Sequence, residues 1–219
     1  MLLMNFNICG REPRFFADCF TLYKYNAKSH LSMITIVYCH PYTKSFNHSI
    51  LQAVTDLLTE RGDEYDVINL YGEGFNPVLD SAGLALYSKG ETEDEMVGRY
   101  QLALTRAESV IFIFPIWWGM MPAMLKGFID KVFLKGTIYD TTPEGILIPC
   151  LSISKTVVVT TSEEPTAVLE PFMQGYFTEQ VLNTVGMDNV TWLNCDKVKS
   201  GSETHRKEFI ADVLEAVAK

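Results

Sequence analysis

The stretch from Ser109 to Phe133 restricts the possible folds of this chain more than any other. Val110-Ile-Phe-Ile-Phe114 is a run of β-branched and aromatic residues without a charge, which reads as a strand covered on both faces, as inside a parallel sheet. Pro115 ends the run. Pro122 then stands where a first helical turn tolerates a missing N–H, and Met124, Leu125, Phe128, Ile129, Val132 and Phe133 recur at helical spacing. Ile116, Trp117, Trp118 and Gly119 form the turn between strand and helix. In open parallel sheets such a turn lies at the carboxyl edge, where ligands bind at the point of strand-order reversal. Adjacent tryptophans cannot both be buried in one direction, so one of them offers an aromatic surface to a planar ligand; packing of both under a loop is an equally good account of two Trp taken alone.

The rest of the chain repeats the strand-to-helix alternation. Met33 precedes Ile34-Thr-Ile-Val-Tyr-Cys39, a natural first strand, and a helical pattern through Ile50, Leu51, Val54, Leu57 and Leu58 ends near Gly62. Glu64 to Leu70 is a second strand, and Tyr71 to Tyr87 a long excursion. Thr92-Glu-Asp-Glu95 reads as a capping box opening a helix that leads back to the central strand. A second excursion runs from Leu134 to Ser154, followed by a fourth strand, Lys155 to Thr161. Pro171 to Val185 reads as a helix, Asn189 to Asn194 as a fifth strand, and Ser202 to Ala218 as a closing amphipathic helix. This alternation implies a right-handed, doubly wound α/β sandwich with a five-stranded parallel sheet in the order 2-1-3-4-5.

Three strand-end loops then share one edge. In His40-Pro-Tyr-Thr-Lys-Ser45-Phe46-Asn47, Ser45 is a plausible N-cap, and free amides at the helix start make an anion site, although for this segment alone an ordinary capped turn is the better account. Pro115 to Gly119 supplies rings and amides. Thr160 to Glu164 supplies the hydroxyls of Thr160, Thr161 and Ser162. The combination suits a flat ring system with a phosphorylated tail, the shape of a flavin nucleotide. Neither G-x-G-x-x-G nor a Walker lysine motif is present.

Composition narrows the classes. A chain of 219 residues, 47% hydrophobic, has enough apolar material for one domain. Its net charge of −9 argues against a nucleic-acid partner, because nothing supplies a basic face for phosphates. No apolar run approaches the roughly 20 residues of a membrane span. Cys9, Cys19, Cys39, Cys150 and Cys195 show neither a C-x-x-C nor a Cys/His ligand spacing, so no disulfide framework or metal site is expected and a reducing cytoplasm fits best. Residues 1–32 have no sustained period and are expected to be an N-terminal extension outside a 33–219 domain. Deleting them should leave stability and ligand binding intact, which thermal unfolding and ligand titration of the shortened chain will check.

His40-Pro-x-x-x-Ser-Phe-Asn47, Phe114-Pro-Ile-Trp-Trp-Gly119 with the Met121 to Phe133 block, and Thr160-Thr161 together resemble the NAD(P)H:quinone oxidoreductase family, the group of DT-diaphorase and modulator of drug activity B, over roughly Ile34 to Trp192. The resemblance implies a flavodoxin-like three-layer sandwich, forming a homodimer with one FAD or FMN per subunit and NAD(P)H as co-substrate. It implies ping-pong hydride transfer through flavin N5 to a quinone-type acceptor. It assigns His40, Ser45, Phe46 and Asn47 to phosphate and ribityl groups, and Pro115, Ile116, Trp117, Trp118 and Gly119 to the ring, largely through backbone amides. Thr160 and Thr161, with the neighbouring Ser162, are assigned to further flavin contacts, and Tyr139 to acceptor stacking across the dimer. Ser162-Glu163-Glu164-Pro165 stands where relatives carry glycines, and no histidine lies between Glu163 and Tyr176 for a proton relay. The alternatives are an ancillary regulatory subunit of a potassium efflux transporter, which shares fold and flavin, and a flavodoxin-like electron carrier.

Overall fold

Apolar residues at consecutive positions of a strand point alternately to its two faces, so the strands read above need cover on both sides. A computed structural model describes residues 33–219 and has that arrangement. The expected extension, residues 1–32, lies outside the described residues.

Strands β1 (Met33–Tyr38), β2 (Glu64–Asn69) and β3 (Ser109–Pro115) alternate with helices α1 (Phe46–Arg61), α2 (Ser81–Tyr87) and α3 (Glu95–Arg106). Helix α4 (Ala123–Val132), a hairpin of β4 (Tyr139–Thr141) and β5 (Leu147–Pro149), and strand β6 (Lys155–Thr161) follow. Helix α5 (Thr166–Phe172) runs on through a wide π-helical stretch, Met173–Leu182, into β7 (Val190–Cys195) and α6 (Glu203–Ala218). The parallel sheet has the order β2-β1-β3-β6-β7, the expected order once the hairpin strands are set aside.

Ile34, Ile36, Tyr38, Ile111, Ile113, Val157 and Val159 face α1 and α6, where Leu51, Val54, Phe209 and Val213 complete one core. Val37, Val110, Phe112, Phe114 and Val158 face the other way, against Tyr100, Leu104, Leu125, Phe128 and Phe177. The register brings Tyr38 beside Ile113 and Pro115 beside Thr161, so the loops after these strands emerge on one edge.

Local differences from the sequence reading have identifiable causes. The run continues through Pro115, which pairs with Thr161 as the last strand residue, where a missing N–H is tolerated. The first excursion contains α2, capped by the Asp80 carboxylate on the Gly83 amide. Asp94 caps α3 in place of Thr92, whose hydroxyl instead accepts from the Asp94 amide. The helix placed at Pro171 begins at Thr166, with Pro171 inside it. The second excursion folds as the β4–β5 hairpin. Gly127 in α4 admits Pro77 of the first excursion, since a Cβ there would lie 2.3 Å from the Pro77 carbonyl oxygen.

Candidate functional site

A cleft of about 380 Å³ opens at the carboxyl edge, lined by His40, Ser45, Phe46, Asn47, Pro115, Ile116, Trp117, Thr161, Ser162, Glu163, Val198 and Lys199. This volume lies at the lower end of the range of about 300–1,000 Å³ for small-molecule sites.

One end is the start of α1. Ser45 Oγ accepts from the His48 amide at 3.1 Å, and of the first-turn amides those of Phe46 and Asn47 are left without intrahelical acceptors. Asn47 is 3% exposed; its Oδ1 accepts from Thr161 Oγ1 at 2.8 Å, and its Nδ2 has no partner within the protein. A buried donor without an acceptor costs about 1–3 kcal/mol, which a ligand oxygen would recover. His40 Nδ1 accepts from the Tyr42 amide at 3.0 Å, which puts the proton of the neutral ring on Nε2. Burial holds this imidazole below its ordinary pKa, so it is neutral at physiological pH. Phe46 packs its ring on Phe209 of α6, at 6.3 Å between centroids.

The aromatic turn is a two-residue hairpin closed by Trp117 and Met120, whose amides and carbonyls bond reciprocally at 2.9 and 3.2 Å. Trp118 and Gly119 occupy its centre with φ of 53° and 72°, the signature of a type I′ turn. Glycine suits that region, whereas tryptophan is strained there by about 1–2 kcal/mol. The turn leaves Trp118 fully exposed beside the cleft and sets Trp117 against His40, 5.9 Å between rings. The Ile116 amide goes to Thr161 O and the Trp117 amide to Met120 O. Of the amides assigned to a ring ligand, only those of Trp118 and Gly119 lack an acceptor among the described residues.

The opposite wall is two loops fastened together. Ser162 N donates to Cys195 O, Val198 N to Ser162 O, and Asn194 Nδ2 to Ser162 Oγ. The Lys199 amide donates to Glu163 Oε2 at 3.0 Å. Hydrogen bonds from the Ser200 side chain and the Lys199 amide hold the Glu163 carboxyl below its ordinary pKa, keeping it ionised.

The structure thus brings most of the expected site residues to one cleft, with four exceptions. Trp118 and Gly119 stand at its edge. Thr160 is buried in the sheet, where its hydroxyl accepts from Trp192 Nε1 at 2.9 Å and donates to Asn194 Oδ1 at 2.8 Å. Tyr139 lies in a separate cavity of about 260 Å³ with Tyr87, Ile129, Asp130 and Gln180. There burial, followed by the hydrogen bond with Tyr139, pushes the Tyr87 phenol up to about 12. Val198 and Lys199 were not expected. The signal for them was available: the loop after the fifth parallel strand must leave by the same edge as the others.

A family profile described as flavodoxin-like fold matches residues 32–219. Ribosyldihydronicotinamide dehydrogenase (quinone) of Mus musculus is 32% identical over 125 residues, 49% of this chain and 53% of that protein. The chain spans about half the length of the curated relatives it matches. Smu.1420 from Streptococcus mutans UA159 superposes with a TM-score of 0.73 at 30% identity, covering 84% of this chain and 98% of that one. The NAD(P)H:quinone oxidoreductase from Methanothermobacter marburgensis gives a TM-score of 0.77 at 27% identity, covering 85% and 97%.

Proposed function

The chain belongs to the flavodoxin-like fold family, and from that premise we propose that it is a flavin-dependent NAD(P)H:quinone oxidoreductase. The observation that carries the reading is the partnerless Asn47 Nδ2, buried at a helix start in a cleft walled on another side by Trp117. These residues fit a flavin nucleotide. The first-turn amides of α1, Asn47 Nδ2 and His40 Nε2–H would hold its phosphorylated tail, and Trp117 would lie against its ring. A bound flavin supplies a centre that accepts and donates hydride.

The chain's own contribution is to bind, orient and exclude water. The Trp118 and Gly119 amides, free of internal acceptors, are preorganised donors for negative charge at the ring edge and need no titrating side chain. NAD(P)H and a quinone-type acceptor use the cleft in turn, in a ping-pong cycle. Names of relatives support both partners: the mouse protein is called a quinone dehydrogenase and the Methanothermobacter one an NAD(P)H:quinone oxidoreductase. Tyr139 stands away from its own chain's cleft, so it stacks on an acceptor only as part of a homodimer. The exposed Ile146, Leu147 and Ile148 of its hairpin supply apolar surface for that contact. Among the described residues no helix is long and apolar enough to cross a membrane, and the proposed compartment is the cytoplasm.

The test is to purify the protein, release any yellow cofactor for identification by mass, and assay NAD(P)H oxidation with menadione. A colourless protein that binds no flavin overturns the proposal. A pH dependence follows from His40. A phosphate beside this imidazole raises its depressed pKa. Binding therefore takes up a proton, and affinity for FMN increases as pH falls through the bound-state pKa, by at most about tenfold per unit. The phosphate titrates near pH 6 by itself, so the measurement is the difference between wild type and His40→Gln. A difference of the opposite sign would remove His40 from the site.

A further inference from the structure

We propose that Glu163 is a positioning residue that fixes the far wall of the cleft before any ligand arrives, by bracing the strap 197–201 from the cleft side. The brace stands on the structure by itself; its consequence for binding rests on the flavin reading above.

The strap joins β7 to α6, and none of residues 197–201 is buried, so hydrogen bonds must hold it. It closes on itself through the Gly201 amide, which donates to Lys197 O at 2.6 Å. A Cβ at Gly201 would lie 2.7 Å from that same carbonyl oxygen, so the turn needs glycine there. From the α6 side, Arg206 Nη1 donates to Val198 O at 3.1 Å and to Gly201 O at 2.8 Å. From the β6 side, Ser162 O accepts from the Val198 amide at 2.9 Å. Lys199 and Ser200 lie between these anchors. Their one tie among the described residues is the Glu163 carboxylate, which accepts from the Lys199 amide at 3.0 Å and from the Ser200 side chain.

Glu163 can brace the strap because its own backbone is set in place. Its neighbour Ser162 is 2% exposed; the Ser162 amide donates to Cys195 O, its hydroxyl donates to Glu164 O at 2.8 Å, and Asn194 Nδ2 donates to that hydroxyl at 3.0 Å. A carboxylate carried on a fixed backbone and accepting two bonds is preorganised. Glu163, Val198 and Lys199 all line the cleft, so the position of that wall follows from this brace. Without it, a ligand has to order the wall as it binds, and affinity falls although no ligand contact has been removed. The Arg206 and Ser162 bonds remain, so loss of the Glu163 carboxylate frees the edge of the strap and leaves the fold intact.

The test compares Glu163→Ala with Glu163→Gln in the full chain. Both remove the charge, but only glutamine keeps a side-chain oxygen that accepts from the Lys199 amide. In the ligand-free protein, amide hydrogen exchange at Lys199 should be at least about tenfold faster in Glu163→Ala than in wild type, with most of the protection restored in Glu163→Gln and the Val198 amide within about threefold throughout. Titrated with FMN and with riboflavin, Glu163→Ala should bind each about three- to tenfold more weakly than Glu163→Gln does, by the same factor for both ligands. Equal exchange at Lys199 in wild type and Glu163→Ala overturns the brace. Equal flavin affinities of the two variants, with the exchange contrast present, overturn the consequence for binding. A loss confined to FMN also overturns it, because that would report a phosphate contact and not a displaced wall. If wild type binds neither flavin, the flavin reading falls and takes the binding consequence with it, while the exchange contrast still decides whether Glu163 positions the strap.

Discussion

Replacing Phe177 with alanine lowers the free energy of unfolding by about 3–5 kcal/mol, a large part of the total of about 5–15 kcal/mol typical of a domain. Phe177 is wholly buried in the π-helical stretch, edge-on to Phe112 and Phe114 of β3 at 6.0 and 5.9 Å. Truncation removes the transfer free energy of the ring, leaves a cavity under the central strand, and forfeits two aromatic contacts of about 0.5–1.5 kcal/mol each. The neighbouring Tyr176 is an internal control. It is mostly exposed and stacked only on Phe172, so Tyr176→Ala changes stability by less than about 1 kcal/mol. Urea unfolding of both variants checks the contrast, and a loss below about 1.5 kcal/mol for Phe177→Ala would show that the core closes over the gap. β3 also carries the aromatic turn at its end, so the variant that loosens this strand should lose ligand affinity too.

Asn47→Leu separates binding from folding. With a flavin phosphate as partner, Nδ2 makes a hydrogen bond to a charged group worth about 1.5–3 kcal/mol, so affinity falls by roughly 10- to 100-fold. Stability of the cofactor-free protein responds differently. The substitution removes the hydrogen bond from Thr161, but it also removes a buried donor that has no partner. These changes oppose each other, and the net effect on unfolding stays within about 1 kcal/mol. Flavin titration and urea unfolding of the cofactor-free variant measure the two quantities. A large loss of stability with unchanged affinity would make Asn47 a structural residue with no role in binding.

Much of the fold was legible because its signals are local. A strand buried on both faces has no polar alternation, and Val110 to Phe114 and Thr156 to Val159 show none. Ser45 declares a helix start through its own side chain, and Gly62 closes the same helix. The excursions were harder. Helix α2 is seven residues long with no buried residue, so it has no core-facing period to detect. The π-helical stretch breaks the 3.6-residue period on which helix detection depends. Thr92 and Asp94 are both good caps, and which one serves depends on tertiary partners. The Asp94 carboxylate also meets Lys131 of α4 at 2.7 Å, a contact between elements distant in sequence.

The amino-acid sequence by itself determined the doubly wound architecture and the edge from which the loops emerge, because doubly covered strands joined through helices admit one handedness and few layouts, among them the observed order. It also placed the loops His40 to Asn47, Pro115 to Gly119 and Thr160 to Glu164 on that one edge. Tertiary structure alone decided which groups stay available once they have met. It bound the Ile116 and Trp117 amides internally, turned Thr160 toward Trp192, left Asn47 Nδ2 without an acceptor, and brought Lys199 and Glu163 to the far wall. The physical reason is that hydrogen-bonding capacity at a site is what remains after the fold has satisfied its own polar groups, and those pairings join residues as far apart as Asn47 and Thr161.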